Sequence, residues 1–85
     1  ENAYTISNGE YEVIEAEIIE TSELISKELK NSNFPDEVRI GAILRDKKVI
    51  IPRSDFVFKK NDRVVFIVKK DSISFVENIF RLSSV

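Results

Sequence analysis

Two carboxylates two residues apart, Glu15 and Glu17, are the nearest thing in this 85-residue sequence to an acid/base pair. Strand alternation sets both on one face, and no second catalytic partner accompanies them, so an acidic, solvated strand face is the favoured reading. The chain has no histidine and no cysteine. That removes the commonest general base, imidazole and thiolate metal ligands, disulfides and a cysteine nucleophile. The remaining acids follow no EF-hand spacing. Glycine occurs only at Gly9 and Gly41, too few for a Walker loop or a GxGxxG phosphate cradle. No catalytic and no metal-ligating set is assigned, and an enzyme working through carboxylates would rest on the number of acids alone.

The side chains suited to binding are cationic. Arg39, Arg45 and Arg53 carry guanidinium forks that match phosphate or carboxylate, although pairing with a nearby acid such as Asp46 or Asp55 is the favoured reading for each. Gly41 stands inside an apolar run, where a glycine weakens a strand unless a neighbour or a ligand needs the space. Close packing is favoured over a ligand. Residues 1–37 carry ten acids and two bases, net -8, whereas residues 38–85 carry five acids and eleven bases, net +6. The basic part would attract an anion. Its bases are scattered through apolar strands without aromatic interleaving, so no nucleic-acid partner is expected.

These residues need elements to position them. At 42% apolar and 33% charged, the chain has the composition of one small folded domain with a thin stability margin. The longest apolar runs, such as Val64 to Val68, fall far short of the ~20 residues of a membrane helix. No signal peptide opens the chain, so a soluble domain is expected. Residues 1–12 are polar with a turn signal at Asn8-Gly9 and read as a linker or upstream tail. In 13–19 the alternation of Ile14, Ala16 and Ile18 predicts a half-buried strand. Thr21 or Ser22 would cap a helix to about Asn31, with Leu24, Ile25 and Leu29 buried. Residues 38–45 predict a strand with Val38, Ile40, Ala42 and Leu44 on one face and Arg39, Gly41, Ile43 and Arg45 on the other. A tight turn at Asp46-Lys47-Lys48 leads to the strand Val49-Ile50-Ile51, which Pro52 ends. After a short piece, Phe56-Val57-Phe58, the strand 63–69 is apolar on both faces and should be central or meet a partner. Asp71-Ser72 would cap a last helix with Ile73, Val76, Ile79 and Phe80 on one stripe. The expected fold is α+β, an α/β sandwich in the order β-α-β-β-β-β-α, with a small mixed sheet of short strands and one or two helices packed on it.

Several of these residues also form a recognisable series: Glu17-Ile18-Ile19, Leu24-Ile25 and Leu29, Asn33-Phe34-Pro35, Ile40-Gly41-Ala42-Ile43 with Arg45, Val49-Ile50-Ile51-Pro52, Asp55, and Asn61-Asp62-Arg63-Val64. The series resembles the C-terminal domain of RCK proteins, the regulators of conductance of potassium, and most of all the copies in Trk-type potassium uptake subunits (TrkA-C). It covers roughly residues 13–80, and 13–85 is taken as that domain. The turns depart from the family pattern, with Ser26, Asp46-Lys47-Lys48, Ser54 and Asn61 standing where glycine is usual. The resemblance implies a non-catalytic, dimerising and ligand-sensing regulatory domain that controls potassium transport, with no cofactor of its own. It implies an upstream nucleotide-binding domain for NAD(H) or ATP, with cyclic di-AMP a ligand of the C-terminal domain in some branches. It also implies a cytoplasmic location against the inner face of the plasma membrane and a membrane potassium transporter as partner. The ligand contacts it suggests are Arg45, Arg53, Ile43 and Gly41, and the dimer contacts Ile40, Ile43 and Ile51. The alternatives are the same domain as a cytoplasmic module of another transporter or antiporter, or a purely structural assembly domain.

Overall fold

In the computed structural model, residues 2–83 are described. Five strands form one antiparallel sheet: β1 (Asn2–Ile6), β2 (Tyr11–Glu17), β3 (Val38–Arg45), β4 (Lys48–Ile50) and β5 (Arg63–Lys69). Their spatial order is β1-β2-β5-β3-β4. The apolar β5 lies in the middle and pairs with both β2 and β3. One helix, α1 (Ile73–Ser83), follows it. The α+β class expected from the sequence holds, but the sheet is antiparallel where a mixed one was expected, and three elements and the faces of β3 also differ.

The inner face of the sheet is built as the alternation requires. Ile14, Ala16 and Ile18 are buried, as are Val64, Phe66 and Val68 opposite them. Val76 of α1 joins this core, with Ile73 and Phe75 packed against it. Phe34 meets Phe66 and Phe75 edge-on, with ring centroids 5.7 and 6.3 Å apart. The side chains of Ile79 and Phe80 lie outside the described residues.

The helix expected over 21–31 is absent. Turns occupy that stretch, with only a short 3₁₀ turn at Leu29–Asn31. Ser26 takes a left-handed φ of 70°, which no α-helix tolerates. Ser22 Oγ accepts the Leu24 N–H at 3.1 Å, a local bond that competes with helix. Other backbone groups pair with a distant segment: Ser26 N–H donates to the Phe58 carbonyl at 3.1 Å, Leu29 N–H to Phe56 at 2.8 Å and Lys30 N–H to Ser54 at 2.9 Å. Leu24 is still buried, with Ile25 and Leu29 against the core, so the apolar positions were read correctly and the element was not. The piece Phe56-Val57-Phe58 makes only isolated bridges, to Ile25 and Glu28.

Residues 1–12, expected to be a linker or upstream tail, contribute a strand to the sheet. Asn2–Ile6 form a strand paired in register with Tyr11–Glu15, from Asn2 opposite Glu15 to Ile6 opposite Tyr11. Asn8 and Gly9 make the connection at positive φ, as the turn signal anticipated.

In β3 the register slips between Ile40 and Ala42, leaving Gly41 as the extra residue of a β-bulge. Val38 and Ile40 lie opposite the inward Val68 and Phe66, and after the bulge Ile43 lies opposite the inward Val64. The faces expected for β3 are therefore exchanged after Gly41. Ile43 and Arg45 turn inward, while Ala42 and Leu44 join Arg39 on the outer face. The β3–β4 hairpin closes through Asp46 and Lys47, both at positive φ (51° and 68°), the backbone of a type I′ turn.

Lys47 and Ser26 hold left-handed conformations that glycine adopts without strain. Ser26→Gly and Lys47→Gly are each expected to raise stability by about 0.5–1 kcal/mol, measured by urea unfolding. A loss of stability in either would show that the side chain, not the backbone, matters there.

Candidate functional site

The end of β3 carries the most tightly held polar group. Arg45 Nε and Nη2 donate to the two carboxylate oxygens of Asp62, each at 2.8 Å. Nη2 also donates to the Val57 carbonyl at 2.9 Å. The Lys59 N–H donates to Asp62 Oδ2 at 2.8 Å. The guanidinium lies 4.8 Å from the centroid of the Phe56 ring. Asp62 is 1% exposed. Its hydrogen bond to Arg45 raises the arginine pKa above its ordinary value, against the opposing effect of burial. Arg45 is therefore the charged partner of this pair throughout the ordinary pH range.

Of the expected ligand contacts, Arg45 is thus bonded internally to Asp62, with the Asp46 carboxylate adding a weaker attraction from the neighbouring turn. Ile43, expected at the ligand and dimer contacts, is 0% exposed in this chain, and the bulge turns it into the core. Gly41 is half-buried, and a Cβ there would meet nothing nearer than 3.8 Å, so neither a crowding neighbour nor positive φ demands glycine. Arg53 is exposed and makes no ion pair among the described residues. Arg39 lies 4.0 Å from Asp36, with both side chains open to solvent. Glu15 bonds Arg63 Nε at 2.6 Å, and the exposed Glu17 is not drawn into an acid pair with it. Among the described residues no group of His, Cys, Asp or Glu could hold a metal ion.

Of the expected dimer contacts, Ile40 is half-buried against the core on the inner face. Ile51, just beyond β4, is 73% exposed. It extends a surface the sequence reading did not assemble. Val13, Val65, Ala42 and Leu44 share the outer face of the sheet with Ile67, 39% exposed, and Val49, 66% exposed. Ile6 continues it at the β1 edge. The signal was present in the two-sided apolarity of β5. Asp62 was detectable too, because it falls in phase with the inward Val64, Phe66 and Val68.

The described residues form a small α+β domain with one filled and one open sheet face and an internal salt bridge at the end of β3. Residues 13–81 match the TrkA-C domain family, and the chain belongs to it. β1 precedes the matched stretch. Over 80 residues the chain is 39% identical to the Trk system potassium uptake protein TrkA of Azorhizobium caulinodans, covering 94% of this chain and 18% of that protein. It is 36% identical over 77 residues to Trk system potassium uptake protein TrkA homolog 1 of Methanosarcina mazei, covering 91% and 17%. The chain thus spans less than a fifth of the length of these curated relatives. A solved RCK domain with cda has the same fold, with a TM-score of 0.67 at 18% identity over 78% of this chain and 93% of that one.

Asp62→Asn is expected to destabilise the domain by roughly 3–5 kcal/mol, because it leaves a partly buried guanidinium without its counter-charge. Chemical denaturation reads this directly; an unchanged midpoint would return Arg45 to the list of available anion ligands. Gly41→Ala should shift stability by less than about 1 kcal/mol in the same measurement. A larger loss would mean that the bulge itself requires glycine.

Proposed function

We propose that this chain is the dimerising, ligand-sensing regulatory domain of a Trk-type potassium uptake subunit, acting on the cytoplasmic side of a membrane potassium transporter. Membership of the TrkA-C family supports the potassium role, and the open apolar sheet face is the observation that carries dimerisation. Among the described residues no helix is long and apolar enough to cross a membrane.

The face suits a second copy of itself. Glu17 lies opposite Arg63 at one end of the β2–β5 pair, and Lys69 at the other, with Arg39 opposite Ile67 near that basic end. A two-fold axis in the plane of the face, perpendicular to the strands, would bring the Glu17 end of one copy to the Lys69 and Arg39 end of the other. Aliphatic side chains would fill the centre. A specific interface needs about 800 Å² per partner. A ligand then acts by binding one dimer geometry more tightly than another, and that difference is all it can transmit to the membrane subunit. Cyclic di-AMP is the ligand proposed for the dimer. NAD(H) or ATP would bind an upstream domain, and no catalytic step is assigned to this one.

Sedimentation of the chain over a range of concentrations, with cyclic di-AMP, ATP or NADH, tests the reading. A dimer that tightens with cyclic di-AMP is expected, and Ile51→Glu with Val49→Glu should weaken it at least ~10-fold by placing unpaired carboxylates in the contact. A dimer indifferent to every ligand would leave assembly without sensing. A chain that stays monomeric would overturn the interface.

A further inference from the structure

A concave surface lies beside the first residues of β3, within one chain. The segment around Leu29–Phe34 and the first residues of β3 enclose a groove of about 520 Å³, closed at one side by Ser54. That is the range of small-molecule sites. Leu29, Phe34, Val38 and Ile40 supply apolar wall, and Lys30 and Arg39 supply the charge. No carboxylate lines it. The acids nearest its two cations hold them loosely: Glu28 lies 3.8 Å from Lys30 Nζ, and Asp36 lies 4.0 Å from Arg39 Nη2. Such exposed, long contacts yield readily to a better-placed anion.

The walls are fixed rather than loose. Leu29 and Lys30 N–H groups are bonded to the carbonyls of Phe56 and Ser54 at 2.8 and 2.9 Å. Ser32 Oγ donates to the Glu28 carbonyl at 3.1 Å, and Asn33 turns the chain at a φ of 57°. Phe34 is wedged against Phe66 and Phe75. A groove held this way loses little freedom when filled.

We infer that this groove binds a small amphipathic organic anion, with a carboxylate or phosphate head between Lys30 and Arg39 and a flat apolar body against Ile40, Leu29 and Phe34. The site is complete in one chain, but its Arg39 also borders the outer face at the basic end of the proposed dimer contact, so it is tested on a monomeric variant.

The probe is 1-naphthoate, followed by amide chemical shifts of the labelled chain carrying Ile51→Glu, at concentrations where that variant is monomeric. Saturable binding of one probe per chain is expected, with Kd on the order of 1 mM for a ligand of this size. Shifts should centre on Leu29, Phe34 and Ile40. Acetate, the head alone, and 1-naphthalenemethanol, the body without charge, should each bind at least ~5-fold more weakly, and 1-naphthyl phosphate will show which head the cations prefer. Arg39 is exposed, so Arg39→Ala should fold normally and weaken naphthoate about 5-fold, with Arg39→Lys retaining most of the affinity. Unsaturable shifts, shifts centred on Val49 and Ile67, equal binding of the neutral alcohol, or an Arg39→Ala variant that binds as well would each overturn the assignment. Binding at this groove with no dimer in the wild-type chain would separate it from the function proposed above, and so would the reverse.

Discussion

A carboxylate buried at Asp62 obliges the chain to deliver a cation to it, and much of the irregular structure follows from how that is done. An uncompensated charge at that depth would cost several kcal/mol, a large part of the stability of a domain this small. Arg45 reaches it only because the bulge at Gly41 changes the phase of β3. With unbroken alternation from Val38, Arg45 would point outward with Arg39. The same guanidinium fastens the Val57 carbonyl and covers the Phe56 ring, so the loop between β4 and β5 is tied to the hairpin. That loop in turn supplies the carbonyls of Ser54, Phe56 and Phe58 that order residues 26–30. One ion pair therefore links the hairpin, the following loop and the segment after β2.

Sequence reasoning recovered what depends on local period and missed what depends on distant partners. The two-residue period in β2 and β5 placed Ile14, Ala16, Ile18, Val64, Phe66 and Val68, and the two-sided apolarity of β5 placed it at the centre of the sheet. The hairpin at Asp46-Lys47 was legible from its position between two apolar runs. The segment 21–31 was not, because its apolar spacing suits a helix while its backbone partners lie about thirty residues away. β1 was invisible for a related reason: a polar edge strand needs only one neighbour and no buried stripe. The bulge has a single mark in the sequence, a glycine inside a strand, and that glycine is the added residue, not space for packing or a ligand. That one phase error moved Ile43 and Arg45 from the surface to the interior and changed the reading of the site.

The positions where the family pattern has glycine show how backbone demand can be met otherwise. Ser26, Asp46, Lys47 and Asn61 all hold positive φ. Asp and Asn adopt that region with modest strain through their short polar side chains, whereas serine and lysine have less relief. Ser54 is absent from this group, so its substitution for glycine places no such demand on the backbone. The fold tolerates these replacements because the strands around each turn determine its geometry more strongly than the turn residue does.

The two sheet faces set the balance between stability and association. The inner face is filled by α1 and residues 18–38, and among the described residues no buried side-chain nitrogen or oxygen lacks a partner. The outer face has β-branched side chains at its centre and charge at its ends, a pattern that strand propensity alone does not require of a solvated surface. At ~25 cal/mol per Å² of apolar area, covering side chains such as Val49, Ile51 and Ile67 would contribute several kcal/mol before the costs of association. For a domain of 85 residues that is comparable to its whole folding margin. Association through this face would therefore stabilise the fold as well as set its geometry. The residue that governs that margin from within, Asp62, is separate from the residues exposed to a partner, so the fold can be held constant while the surface is altered to suit different signals.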